Sequence, residues 1–506
     1  MEFNLFGRGW KLRLAITVAC EMAFILFGYD QGVFSGIVGN SDFLRVMGDP
    51  KDAYLGIIVS IYNLGCFSGC ILAFIFGEML GRRRAMWVAM AWIIVGASLQ
   101  ASAFSVPHLM IGRYVTGIGT GIETSTVPMY QAELSHAHQR GRLVCSEALF
   151  VGVGIVIAYW FDYGLHFLDS SIAWRLPVAC QVLFTFVVIL LVFGLPESPR
   201  YLYNKGRNEE ALNVLCTVYD KDPDHPEILK EQADILLAIQ LESHESKTWF
   251  DIFKQDEVQT GKRVLLAYGM QFMNQVGGIN LVVYFVPTVL QDNVGLSRNL
   301  SLLLGGVIQC MFVIGSFVPS LLVDRIGRRQ PMMWGSLGLG ISMMLISVLL
   351  SFKGSSVEKE TSTASVAFFF TYMLIFGASV NCIPWVYVPE ILPLQARAKG
   401  TAIGISSNWL WNFVIVMITP VIISHLQWKA YLIFMCTNLA FIPLIYFFYP
   451  ETANLTLEEI DYLYTQPGRS ARKVARELRK NRASGHGSVE DDVKPTAELQ
   501  EHIVEK

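Results

Sequence analysis

The sequence predicts an all-α membrane protein with twelve transmembrane helices in two pseudo-symmetric six-helix halves. Three observations carry that prediction. Of 506 residues, 53% are hydrophobic and only 16% charged, whereas a soluble chain of this length would carry about 25% charged residues. Apolar stretches long enough to cross a bilayer core, about 20 residues as a helix, recur twelve times along the chain. Three short motifs of the first half return in the same order in the second. Alternating short strands, the mark of a membrane barrel, do not occur.

In order, the stretches run 14–38, 54–76, 86–105, 108–130, 143–161 and 174–195, then 264–290, 300–322, 332–351, 365–388, 399–421 and 429–449. The chain therefore divides into a first half (1–195), a polar linker with short amphipathic helices (196–262), a second half (263–450) and a hydrophilic tail (451–506). The basic loops "GRRRA" (81–85), "HQRGR" (138–142), "DRIGRR" (324–329) and "ARAKG" (396–400) all fall on one side, with "RGWKLR" and the basic tail. The positive-inside rule makes that side, and both termini, cytoplasmic. Asn299 then heads a glycosylation sequon on the outer side, while the sequon at Asn454 faces the cytosol. "RSARKVARELRKNR" (469–482) has helical spacing and suits either anionic headgroups or solvent.

Composition excludes several classes. No basic stripe with interleaved aromatics suggests nucleic acid. The nine cysteines are scattered singly, as small buried hydrophobes, with no metal-ligand spacing. The first apolar run lacks a cleavage site and is long enough to stay as a span. No nucleophile elbow or paired-carboxylate arrangement points to an enzyme, and no cofactor motif is present.

The repeats set "GRRR" at 81 against "GRR" at 327, "PMYQAE" against "WVYVPE", and "PESPR" at 196 against "PETAN" at 450. Glu133 and Arg140 are seven residues apart, as are Glu390 and Arg397. A duplicated six-helix unit is the plan of a carrier with its site between the halves. "GRYVTGIGTGIETSTVPMYQAE", "PESPRYL", "DRIGRR", "PWVYVPEILPLQARAKG", "NWLWNF" and "PETANLTLEEID" together resemble the sugar porter family of the major facilitator superfamily, over residues 10–462. "FGYDQGVFSGIV", "RGRLVCSEALF" and "YWFDYG" further resemble its fungal branch of proton-coupled hexose, pentose and polyol carriers.

Asp30 raises the coupling question. An ionised side chain at the bilayer centre costs about 3 kcal/mol even on lenient scales. Arg113, in the fourth stretch, is the basic residue deep inside a span. A buried carboxylate alone keeps its proton, and one beside a cation loses it. A pair that meets and parts is a proton switch, and the resemblance extends that role to Asp30 and Arg113. The competing reading is a static pair joining two helices. Glu21, Glu123 and Glu147 are further acids in spans. Glu147 lines the cavity or bonds between helices in this reading, and Glu123 stands where a small or amide residue is expected.

A sugar needs paired partners for its hydroxyls and an apolar face for its ring. Gln271, Asn274 and Gln275 lie at i, i+3 and i+4 of the seventh stretch. Gly277 and Gly278 would break that helix and turn Asn280 toward the same cavity. The resemblance implies substrate contact for Asn274, Gln275, Asn280, Trp385 and Asn412, with Asn408 one turn from Asn412. The competing readings are amides that join helices and an interfacial Trp. Pro384 and Pro389 predict a discontinuous tenth helix around Trp385. Several family donors are missing: Ala148 and Gly377 replace a Gln and an acid, and near Phe312 the nearest amide is Gln309. The thinner set points to a pentose, a polyol, a decorated sugar or another polyhydroxylated molecule.

At the inner helix ends, Glu133, Arg140, Arg82 and Arg83 face Glu390, Arg397, Asp324, Arg328 and Arg329, an expected cytoplasmic gate with bridges between the halves. The first half departs from the motif, with Glu78 and Met79 where an Asp and an Arg are usual. The expected function is proton-coupled uptake of a monosaccharide or polyol by a monomer in the plasma membrane, with a proton and the lipid bilayer as further partners. A proton-independent facilitator or exporter of another polyhydroxylated metabolite is the alternative. A nutrient-sensing receptor is a third, from another class.

Overall fold

The computed structural model describes residues 5–483 apart from 51, 136–139, 169, 245–255, 257, 394–395, 454, 456 and 467–468. The first half comprises α1 (Trp10–Ile37), the short outer α2 (Ser41–Val46), α3 (Asp52–Leu80), α4 (Arg82–Ala101), α5 (Val106–Glu133), α6 (Arg140–Leu165) and α7 (Ile172–Phe193). Three linker helices follow: α8 (Pro199–Asn204), α9 (Asn208–Tyr219) and α10 (Pro226–His244). The second half comprises α11 (Thr260–Val276), α12 (Ile279–Asp292), α13 (Arg298–Ile326), α14 (Arg329–Leu350), α15 (Glu358–Ala378), α16 (Ile383–Ile391), α17 (Arg397–Leu426) and α18 (Ala430–Phe448). The tail adds α19 (Leu457–Thr465) and α20 (Ala471–Ala483).

Twelve spans result, because α11 with α12 and α15 with α16 each form one interrupted span. Most helices outrun their apolar stretch. The second, expected over 54–76, runs from Asp52 to Leu80, since backbone hydrogen bonding continues into the headgroup zone where hydropathy no longer signals it. By apolar content alone α5 does not qualify as a span among the described residues. Its Gly and Thr residues, Arg113 and Glu123 dilute it, and these are the residues of interest below.

The two interruptions have different causes. Between α11 and α12, Gly278 takes φ +101°, a left-handed conformation open to glycine. A Cβ there would also lie 2.8 Å from Phe434 Cγ. The tenth span breaks over 379–382, before the prolines rather than around Trp385. Pro384 instead sits in the first turn of α16, where its missing N–H costs nothing. Side chains satisfy the carbonyls these breaks release, as the apolar setting requires. Tyr372 and Asn438 donate to Gly277 O at 3.0 and 2.8 Å, and Asn274 donates to Val380 O at 2.8 Å.

Helix pairing follows a two-fold pattern. α1 packs on α6 and α7, α3 and α4 on α5, and α4 on α7. In the second half α11 packs on α17 and α18, α13 and α14 on α15, and α14 on α18. Advancing every span by six converts the first set into the second. The contacts between halves obey the same exchange, α3 against α17 and α13 against α6. The linker docks beneath: Gly9 N–H reaches Thr217 O at 2.8 Å. The basic tail helix neither floats free nor lies only on lipid. It buries Val474 and Ala475, and Arg472 donates to Tyr446 O at 2.9 Å.

Candidate functional site

Asp30 of α1 and Arg113 of α5 are both buried, each 1% exposed. They do not form an ion pair. Arg113 lies over the Phe34 ring at 3.7 Å and near Tyr62 at 5.2 Å, and donates to Val59 O at 2.7 Å. That reach depends on close packing of α3 and α5, where a Cβ on Gly117 would fall 2.2 Å from Tyr62 O. Asp30 receives a long contact from Thr120 Oγ1 at 3.4 Å, and its Oδ1 has no partner. Phe34 is one turn above Asp30 on α1, so the cation is held a helical turn from the carboxylate by cation–π attraction and a carbonyl.

The other acids separate. Glu123 follows Thr120 by three residues on α5, and neither of its oxygens has a partner. Glu147 on α6 feels Glu21 across the α1–α6 contact, and lies near Cys20. Its Oε1 is buried without a partner.

The amides around the α11–α12 break form a linked chain. Asn280 Nδ2 donates to Gln275 Oε1 at 2.9 Å across the α11–α12 break. Gln275 Nε2 donates to Asn274 Oδ1 at 2.7 Å, and Asn274 turns away to Val380 O. Asn408 of α17 donates to Gln271 Oε1 at 2.8 Å. Unpartnered buried atoms remain on Gln271 Nε2, Asn412 Oδ1, Gln309 Oε1, Asn63, Tyr284 OH and Trp409 Nε1. Buried polar groups are seldom left so. Trp385 is half-buried on α16. The fully buried Trp409, edge-on to Phe27 at 5.4 Å, was not singled out by sequence, nor were Tyr62, Asn63 and Tyr284, each with a buried unpartnered atom. Of these only Asn63, an amide inside an apolar run, carried a signal.

The missing donors have structural counterparts. At Ala148 an amide arrives from the opposite half, with Asn381 Nδ2 donating to Ala148 O at 3.2 Å. At Gly377 no side chain fits, since a Cβ would sit 2.3 Å from Phe312 O.

The inner ends hold one module built twice. Gly81 and Gly327, at φ +81° and +88°, open α4 and α14. Glu197 accepts from Arg82 N and Arg83 N at 3.0 and 3.3 Å, and Glu451 from Arg328 N and Arg329 N at 2.9 and 3.1 Å. Burial pushes the Glu197 carboxyl up against these amides. Arg82 pairs with Glu133 at 2.9 Å and Arg328 with Glu390 at 2.7 Å. Ser198 and Thr452 donate to the same two glutamates. Tyr130 reaches Pro196 O at 2.7 Å and Tyr387 reaches Pro450 O at 2.9 Å. Among the described contacts these ion pairs run within a half, as does Arg328 with Asp324 at 3.1 Å, while a bridge through Arg140 lies outside the described residues. Arg83 and Arg329 donate to Phe193 O and Tyr446 O, and Arg397 to Leu392 O at 3.5 Å. The side chains of Arg140 and Glu78 lie outside the described residues, as does Asn454.

At the end of the bundle away from the linker a cleft of about 340 Å³ is lined by Asn40, Asp42, Arg45, His166, Ser170 and Arg298. Arg298 crosses from the second half to His166 Nδ1 and Gly36 O, both at 3.3 Å. The Trp174 indole beside Asp42 holds that carboxyl below its ordinary range. Asn299 is exposed in the first turn of α13, while Ser301 of its sequon is buried.

The model of the family described as "Sugar (and other) transporter" matches residues 15–464. The chain is 42% identical over 468 residues to the MFS-type transporter oryC of Aspergillus oryzae, covering 91% of this chain and 87% of that protein. It is 34% identical over 508 residues to the sugar transporter STL1 of Saccharomyces cerevisiae, covering 96% and 89%. Among solved structures it is similar in fold to the proton:xylose symporter XylE bound to 6-bromo-6-deoxy-D-glucose, with a TM-score of 0.76, 24% identity, and coverage of 90% of this chain and 99% of that one. With the twelve-span fold, the duplicated inner module and the buried amide site, these matches make the chain a membrane transporter, not an enzyme, and a member of the sugar porter family of the major facilitator superfamily.

Proposed function

We propose that this carrier takes up a monosaccharide or polyol together with a proton by alternating access. The observation that supports it best is Asp30, buried and without an ionic partner while Arg113 is held a turn away by Phe34 and Val59 O. When the outer side opens, the carboxylate takes a proton from outside. Movement of Arg113 onto Asp30 as the inside opens expels it to the cytosol. A static structural pair would be in contact. The substrate hydroxyls bind Gln271, Gln275, Asn280, Asn408 and Asn412, with Asn274 and Asn381 bracing the tenth-span break and Trp385 against the ring. Glu147 lines the cavity or joins α1 to α6.

The inner pairs Arg82–Glu133 and Arg328–Glu390 belong to the cytoplasmic gate with Arg83, Arg140, Asp324, Arg329 and Arg397. Each orders its own half, so the gate opens by movement of halves 1–195 and 263–450 as units. The termini face the cytosol of a plasma-membrane monomer glycosylated at Asn299. The relative named as a proton:xylose symporter supports coupling, and the one named as a sugar transporter supports the substrate class. The Ala148 and Gly377 replacements favour a second reading of the cargo alone, a polyhydroxylated metabolite other than glucose.

In proteoliposomes, adding substrate from a hexose, pentose and polyol panel should alkalinise the medium. Asp30→Asn should abolish uphill accumulation while leaving downhill exchange measurable. Accumulation that survives this change with the same dependence on external pH would overturn the coupling mechanism.

A further inference from the structure

Two thiols meet where the two halves meet. Cys145 belongs to α6 of the first half and Cys382 caps α16 of the second. Their Sγ atoms are 3.2 Å apart, each residue is 1% exposed, and both are free. They sit on a seam stitched by further contacts between halves. Ser320 Oγ of α13 donates to Cys145 O at 3.1 Å, and Asn381, beside Cys382, donates to Ala148 O, three residues beyond Cys145. Disulfide sulfurs stand about 2.05 Å apart, so the thiols need a further approach of about 1 Å to bond.

We propose that Cys145 and Cys382 form a modification site, a reversible disulfide that locks the halves together and stops transport, with a peroxide as oxidant. The inference rests on the alternating-access reading above. While the seam is closed both sulfurs are shielded. When the halves part, one thiol is exposed and is oxidised by hydrogen peroxide to a sulfenic acid, releasing water. On reclosure the second thiol attacks that sulfur, forming the S–S bond and expelling a second water. Overall two thiols lose two electrons and two protons, and the peroxide is reduced to two waters. Reduction by a dithiol through exchange restores both thiols. The remaining cysteines make no described sulfur–sulfur contact across the halves, so they do not substitute for this pair.

The test uses the full-length carrier in proteoliposomes, with a protease site inserted between α10 and α11. Hydrogen peroxide applied during turnover should remove most uptake, and dithiothreitol should return it. After cleavage, the two fragments should stay joined on a non-reducing gel and separate on a reducing one. Cys145→Ser and Cys382→Ser should each keep uptake under peroxide and yield separate fragments, and Cys145→Ala guards against a hydroxyl disturbing the seam. Separate wild-type fragments, or serine variants inactivated as fast as wild type, would overturn the proposal. Because the gel reads the bond without reference to uptake, a joined pair in a protein that moves no substrate would count against the transport reading instead.

Discussion

At the scale of single residues, the position that most constrains the site is one that carries no side chain. Gly377 stands where the resemblance leads one to expect an acid, and read from sequence it thins the set of ligand donors. The structure gives the reason: α15 passes so close to α13 that a Cβ would press on the Phe312 carbonyl at 2.3 Å. Overpacking of this kind costs about 1–3 kcal/mol, and a buried carboxylate adds its desolvation. Gly377→Asp should therefore lower the melting temperature in detergent markedly and remove uptake, rather than create a tighter sugar site. A variant of wild-type stability with improved affinity would show the packing argument to be wrong. Asp30 and Arg113 were legible because a charge inside an apolar run has few explanations. Their separation was not, because Phe34 and Val59 O, which hold the guanidinium, look like ordinary apolar chain.

Among the helices and their caps, the α11–α12 interruption and the doubled inner module carry the testable content. Gly278 holds a left-handed backbone, which costs an L-residue about 1–2 kcal/mol, and its Cβ would meet Phe434. Gly278→Ala should destabilise the carrier and weaken substrate binding together, since the same turn aims Asn280 at Gln275. A thermal shift paired with a substrate competition assay reads both. Glu197 and Glu451 cap equivalent helices through equivalent hydrogen bonds, and losing a cap costs typically about 1 kcal/mol. Glu197→Ala and Glu451→Ala should thus lower stability by similar amounts. A large difference between the two melting shifts would mean that the modules are alike in shape but not in load. The tenth-span break shows where element prediction slipped. Pro384 and Pro389 drew attention as breakers, yet one starts α16 and the other is carried within it, and the chain opens at Ser379–Cys382 instead.

For the whole molecule, the two-fold exchange of helix contacts makes a rocking motion of one half against the other the simplest way to open either side. The α3–α17 and α6–α13 seams are equivalent under that exchange, so opening one side parts each of them at that end. If one proton enters with each neutral substrate, each cycle carries one positive charge inward, worth about 2.3 kcal/mol per 100 mV. That equals roughly a 50-fold gradient at about 1.4 kcal/mol per decade. An imposed potential of that size, inside negative and without a pH difference, should support accumulation approaching that ratio in proteoliposomes, read by labelled substrate. Uptake that only equilibrates under the same potential would identify a facilitator.

By itself the sequence determined the number of spans, their pairing into halves and the residues whose polarity is out of place. A bilayer imposes a length and an apolar content on every crossing, and a duplicated module repeats its motifs. Only the tertiary structure decided which of those polar groups meet. It paired Arg82 with Glu133 and Arg328 with Glu390, linked Asn274, Gln275 and Asn280, left Asp30 without an ionic partner, and brought Cys145 against Cys382. Such contacts depend on helix register and crossing across hundreds of residues of chain, and hydropathy is silent about both.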